Sequence, residues 1–211
     1  MNRLLCDLFN APLQNVPDTP FDWDYSEYRG SDYIVRKTHW YRWQYNDVEA
    51  TGGYMGNGCH MVWVYRDPRD MAVSIMYYRR QTEIAPVILS IENVGSPGVG
   101  IHDMVNGWLG NCDHPQSYEH LLAYTADSLH RIHKVITGKD ATAGEIDRVV
   151  NRHKFNQWAH KYPGSMRKGI AGDWKNHFTR AHAEMFAEKY QDLLELLNYE
   201  SDDSWVSRVQ E

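Results

Sequence analysis

The chain has 211 residues, a formal net charge of −6, 42% hydrophobic and 13% aromatic residues. That is enough for one domain with a sizeable core, and the acidic balance argues against general nucleic-acid binding. No apolar run approaches the roughly 18 residues of a membrane span, and the N-terminus lacks the layout of a signal peptide, so a cytoplasmic protein without a membrane partner is expected. Cys6, Cys59 and Cys112 are odd in number and share no metal-ligand spacing, which fits reduced thiols in a reducing compartment.

In chain order, residues 2–10 place Leu4, Leu5, Leu8 and Phe9 on one helical face and predict a short amphipathic helix. Residues 11–30, rich in Pro, Asp and Tyr, read as an irregular segment anchored by aromatic residues. Residues 32–39, DYIVRKTH, predict a strand through Tyr33, Ile34 and Val35. Ligands of open α/β sheets sit beyond the carboxyl ends of strands, where Lys37 and His39 would stand. A lone histidine is more often structural or solvated than catalytic, so the residues alone leave His39 open. The cluster Trp40, Tyr41, Trp43 and Tyr45 fits an acceptor pocket or plain packing. The Gly-rich stretch at 51–58 precedes a strand and reads as a turn, not a phosphate loop.

Residues 60–80, HMVWVYRDPRDMAVSIMYYRR, are the organising stretch. Met61–Tyr65 is a buried-strand run. Asp67 suits a helix N-cap and Pro68 the first helical turn, and Met71, Ile75 and Tyr78 recur at helical spacing. A strand running into a helix N-terminus gathers backbone N–H groups and favours an anion. Arg66 at the turn and Ser74 in the helix would add a guanidinium fork and a hydroxyl. An ordinary strand-to-helix connection fits this stretch about equally well.

Further on, IAPVILSIENV is apolar but ambiguous between helix and strand. Residues 119–137 predict one helix with Leu121, Leu122, Leu129, Ile132 and Ile136 inward and Gly138 as its C-cap. Residues 143–155 begin another, with Ile146, Val149 and Val150 inward. The stretch 164–182 sets Arg167, Lys168, Lys175 and Arg180 against Asp173, a local basic patch suited to a small anionic ligand. Residues 180–198 form a final amphipathic helix, with Phe186, Tyr190, Leu193, Leu194 and Leu197 inward. Residues 199–211 read as a loosely ordered tail. The whole is expected to be a single domain.

Two segments, YRDPRDMAVS at 65–74 and RKGIAGDWKNHFT at 167–179, together resemble the sulfotransferases that use 3'-phosphoadenosine 5'-phosphosulfate (PAPS). The second is long and specific. The resemblance spans about residues 31–198 and implies an α/β fold, a small, mostly parallel sheet flanked by helices and related to the P-loop nucleotide-binding folds. It implies transfer of a sulfuryl group from PAPS to a hydroxyl or amine, leaving adenosine 3',5'-bisphosphate, with no metal. The Lys-Thr-His at 37–39 matches the family's catalytic strand end, so His39 would be the base and Lys37 would orient or stabilise charge. Arg66, Ser74, Arg167 and the backbone at Lys168 and Gly169 would hold the 3'-phosphate. Tyr118, in a Tyr-Glu pair matching a family triplet, and Phe155 would contact adenine. Acceptors would be small molecules, or glycan or peptide hydroxyls, and a homo-oligomer is compatible.

The segment before Tyr118, NCDHPQ, is too polar and Pro-broken for a normal central strand, so this strand is expected to be lost, short or at an edge. The front also departs from the family. Its phosphate loop, of the type Pro-Lys/Arg-Ser-Gly-Thr-Thr-Trp, is not in this sequence, and residues 2–10 look like the body of the helix that follows it. A late recorded start, a natural N-terminal truncation and a loss of catalysis are the competing explanations. The alternative to an enzyme is a catalytically inactive, sulfotransferase-like binding or structural protein. The retained Arg66, Ser74, His39 and Arg-Lys-Gly set favours the enzyme, and a Walker-type kinase is disfavoured.

Overall fold

A computed structural model describes residues 1–11, 13–15, 33, 35–37, 60–93, 100–154 and 168–211, with residues 2, 3, 13–15 and 35–37 described by their backbone. The elements in order are α1 (Asn2–Leu8), β1 (Leu13–Asn15), β2 (Val35–Lys37), β3 (Val62–Tyr65), α2 (Pro68–Tyr78), α3 (Ala85–Ser90), α4 (Ile101–Asn111), β4 (His114–Ser117), α5 (Tyr118–Ala123), α6 (Thr125–Thr137), α7 (Ala143–Arg152) and α8 (Arg180–Leu196). Short 3-10 turns cover Ile91–Asn93, Asp173–Asn176 and Asp203–Arg208.

β1 pairs with β2 and β3 with β4, both in parallel. Period-two alternation along β3 explains why helices cover both faces. Trp63 and Tyr65 pack against a core built from Ala72, Val73 and Met76 of α2, Val87 and Ile88 of α3, Ile101 and Val105 of α4, and Phe186, Leu193 and Leu194 of α8. Val62 turns the other way, to Leu5, Ala11 and Ile132. Beside it, Leu8 of α1 packs with Leu129, Ile146 and Val149 of α6 and α7. The chain is therefore α/β, with small parallel strand pairs between helices, as the resemblance implies.

β4 is formed despite its polarity. It is four residues long, Pro115 is exposed, and the buried Gln116 donates to the Ser117 carbonyl at 2.9 Å. Its start is pinned by Asp113, whose carboxylate accepts from the Met61 N–H at 2.6 Å, while the Met61 carbonyl accepts from the N–H groups of Asp113 and His114. The short strand of the sequence analysis is what the chain builds, because local hydrogen bonds replace the missing apolar side chains.

Other boundaries differ from expectation. The segment 11–30 was read as irregular, yet Leu13–Asn15 forms a strand against β2. β2 itself lies at Val35–Lys37 rather than being centred on Tyr33 to Val35. The single helix expected over 119–137 is two, broken at Tyr124 with φ −134° and ψ 54°. Within the first of them Leu121 is buried while Leu122, one residue on and about 100° round the helix, is exposed. The ambiguous IAPVILSIENV is helix α3 followed by a 3-10 turn.

The end of the chain is not a loose tail. α8 closes in a paired-turn C-cap, with the Asn198 N–H on the Glu195 carbonyl at 3.0 Å, the Tyr199 N–H on the Leu194 carbonyl at 2.8 Å, and Asn198 at φ 58°. That turn throws the chain back over α2. Trp205, 1% exposed, then packs edge-on against Trp174 with ring centres 5.4 Å apart. Among the described residues no helix is long and apolar enough to cross a membrane.

Candidate active site

The site is set by strand register. β3 and β4 run level, with Tyr65 beside Ser117, so the residues that follow, Arg66 and Tyr118, emerge side by side at the carboxyl end of the pair. Each strand runs straight into a helix. Asp67 caps α2 by accepting from the Arg69 N–H at 2.9 Å, with Pro68 in the first turn. Ser117 caps α5 by accepting from the His120 N–H at 3.2 Å. The Arg66 guanidinium carbon stands 4.7 Å from the Tyr118 ring centre, a cation–π contact. Burial pushes the Tyr118 hydroxyl above its usual range, and the adjacent Arg66 pulls it back in part.

The C-terminal motif reaches the same place from more than 100 residues away. Arg66 Nη2 donates to the Ile170 carbonyl at 3.0 Å and to Asp70 Oδ2 at 3.3 Å. Asp70 in turn accepts from the Gly172 N–H at 2.7 Å and the Trp174 N–H at 2.8 Å. Gly169 and Gly172 hold φ of 63° and 76°, a backbone shape that side chains resist, and this curls the loop around Arg66. Arg66 Nε is buried and has no hydrogen-bond partner among the described residues. A buried guanidinium N–H without a partner is costly to the fold.

The helix N-terminus itself is not open to an anion, contrary to the sequence expectation. Its first donors are already taken by carboxylates of the chain. Asp67 occupies the Arg69 N–H, and Glu119 Oε1 accepts from the Asp67 N–H at 3.1 Å. Glu119 Oε2 also accepts from the Tyr199 hydroxyl at 2.6 Å. Burial first, and then this carboxylate, push the Tyr199 hydroxyl far above the normal phenol range, so it stays a donor. Below the cap, Arg69 is 3% exposed and forked onto Asp67 (Nη2 to Oδ2 2.8 Å) and Glu200 (Nη1 to Oε1 2.7 Å). Its guanidinium carbon also lies 4.0 Å from the Trp174 ring centre and 4.6 Å from that of Trp205. Among the described residues, Arg66 and the glycine loop remain as donors toward an anion.

Of the residues singled out from sequence, Arg66, Tyr118, Lys168 and Gly169 belong to this one cluster. The Nζ of Lys168 turns back to the buried Asp173 at 2.9 Å. Ser74 is exposed on α2, one turn beyond Asp70 and on the same face, with no hydrogen bond to Arg66 among the described residues. Lys37 ends β2, at the carboxyl edge where the strand argument put it, and its side chain is not described. His39, Phe155 and Arg167 lie outside the described residues, as do the aromatic cluster at 40–45 and the glycine turn at 51–58. Asp70 and Arg69 received no role from the sequence. The signal that could have found them is the number of charged residues in a segment read as half apolar: three of the four residues from Asp67 to Asp70 are charged.

Comparison with known proteins converges on one family. A family model described as a sulfotransferase domain matches residues 54–198. Among curated proteins, mouse sulfotransferase 1B1 is 27% identical over 161 residues, covering 64% of this chain and 54% of the relative. Human sulfotransferase 1C2 is 27% identical over 168 residues, covering 66% and 56%. The guinea-pig (Cavia porcellus) 3-beta-hydroxysteroid sulfotransferase is 26% identical over 165 residues, covering 66% and 57%. The chain spans about half the length of the curated relatives it matches. Among solved structures, mouse sulfotransferase SULT7A1 complexed with PAP aligns with a TM-score of 0.55 at 21% identity, over 69% of this chain and 63% of that one. Retinol dehydratase in complex with androsterone and inactive cofactor PAP gives 0.54 at 21% identity, over 65% and 48%. At that identity the structural likeness speaks for the fold.

Proposed function

The chain belongs to the sulfotransferase family, and from that premise we propose that it transfers a sulfuryl group from PAPS to a hydroxyl or amine acceptor. The observation that carries this reading is the Arg66 guanidinium. It is held by Asp70, Ile170 and the Tyr118 ring at the ends of two parallel strands, and its side chain is a quarter exposed. The donor set fits a nucleotide 3'-phosphate, with a guanidinium for charge and a glycine loop that lets backbone approach the anion closely. Arg66 is the main holder in this reading. The backbone at Lys168 and Gly169 borders the same space, and Arg167 and Ser74 complete the set. Tyr118 and Phe155 contact the adenine.

PAPS, when bound, supplies the sulfuryl group. The chain supplies positioning and charge stabilisation, which carry most of the catalysis in transfers of this kind. His39, two residues beyond the end of β2, takes the proton from the acceptor hydroxyl or amine. Lys37, the last residue of β2, orients the reacting group and stabilises charge there. The acceptor is a small hydroxyl-bearing molecule. The hydroxysteroid sulfotransferases among the relatives support that class over glycans or peptides. The setting is the cytoplasm.

The direct test is turnover. The chain is incubated with PAPS and a panel of hydroxyl and amine acceptors, and release of adenosine 3',5'-bisphosphate is followed. His39→Ala is expected to abolish turnover while leaving affinity for the bisphosphate nearly unchanged. Turnover in the variant equal to that of the parent would discard His39 as the base.

A further inference from the structure

Asp70 touches both halves of the site. Its side chain is fully buried. Oδ2 accepts from Gly172 N–H at 2.7 Å and from Arg66 Nη2 at 3.3 Å, and Oδ1 accepts from Trp174 N–H at 2.8 Å. Arg66 Nη2 also reaches the Ile170 carbonyl, so Asp70, Arg66 and the loop 170–172 form a closed ring of hydrogen bonds. Nη2 is engaged in this ring, and Nε is buried with no hydrogen-bond partner among the described residues.

Resting on the nucleotide reading above, we propose that Asp70 is the positioning residue for 3'-phosphate recognition. It fixes the Lys168–Trp174 loop against Arg66 and so sets the orientation of the guanidinium that receives the phosphate. It does not contact the nucleotide.

The idea is separable from a merely electrostatic or structural role because its sign is opposite. A buried carboxylate a few ångströms from an anion site repels the anion, so charge alone makes Asp70→Asn bind a phosphate more tightly. Loss of positioning makes it bind more weakly. Asparagine keeps the shape and one acceptor oxygen, but its NH2 group then faces donors that the second carboxylate oxygen satisfied.

The experiment titrates the full chain and Asp70→Asn calorimetrically with adenosine 3',5'-bisphosphate and, separately, with adenosine 5'-phosphate. The parent is expected to prefer the bisphosphate. Asp70→Asn is expected to lose that preference by on the order of tenfold, with affinity for the monophosphate little changed. A preference kept or increased in the variant overturns the assignment. A parent without any preference instead overturns the nucleotide reading on which it rests. If Asp70→Asn does not fold, hydrogen exchange of the parent decides. The Gly172 and Trp174 amides are expected to be protected in the free chain and slowed further by the bisphosphate but not by the monophosphate. Exchange at unstructured rates, or no response to the bisphosphate, overturns the proposal.

Discussion

Arg66 stands at the end of β3 with a tyrosine ring on one side and a carboxylate on the other, and the two neighbours act differently. The Tyr118 contact is made by the ring face, at 4.7 Å. Tyr118→Phe is therefore expected to leave bisphosphate affinity within about twofold, whereas Tyr118→Ala weakens it by about 0.5–2 kcal/mol. Equal losses in the two variants, measured by calorimetry, would move the interaction from the ring to the hydroxyl. Arg66 and Tyr118 were legible in the sequence because each directly follows its strand in a motif of fixed spacing. Asp70 was not legible as a partner of Gly172 and Trp174, because contacts 102 and 104 residues apart leave no local pattern. Ser74 was legible as a hydroxyl on the right helix, but spacing does not say whether a side chain on a helix face reaches a ligand.

At the scale of elements, the N-terminus of α2 is the junction where three segments meet. Arg69 ties the Asp67 cap to Glu200 and packs against the rings of Trp174 and Trp205, so the end of the chain is part of the site's frame. Removing a buried partner strands the others, so Arg69→Ala is expected to destabilise the fold by about 3–5 kcal/mol in urea unfolding. A loss below about 1 kcal/mol would show that the network is not held in solution. The sequence analysis missed this because Trp205 sits among Ser and Asp residues that resemble a disordered tail. One buried aromatic ring outweighs that local composition.

At the other end, α1 is joined to α7 by Asp7, which accepts from His153 at 2.8 Å and Arg152 at 3.2 Å. Burial pushes the Asp7 carboxyl up, but the hydrogen bonds from His153 and Arg152 outweigh it, and the net position lies below the usual carboxylate range. A depressed folded value adds stability that is present above the unfolded value near 4 and is lost as pH falls through the lower folded value. Asp7→Asn should thus be less stable at neutral pH and show a shallower loss below about pH 4. Parallel acid-unfolding curves for parent and variant would contradict this.

For the molecule as a whole, β3 is the dividing layer. Val62 faces the cluster that α1 and α6 share, Trp63 and Tyr65 face that of α2, α3, α4 and α8, and the site lies where the strand ends. The fold class was readable from the resemblance carried by residues 65–74 and 167–179. The helix break at Tyr124 and the strand at Leu13–Asn15 were not, since both depend on packing partners far away in the chain. The account stands or falls on whether the Arg66 site holds a nucleotide 3'-phosphate. The measurement is calorimetric titration of the full chain with adenosine 3',5'-bisphosphate, beside Arg66→Ala. The account predicts micromolar binding that the variant weakens by about 1.5–3 kcal/mol. Equal affinity in parent and variant, with both chains folded, would contradict it.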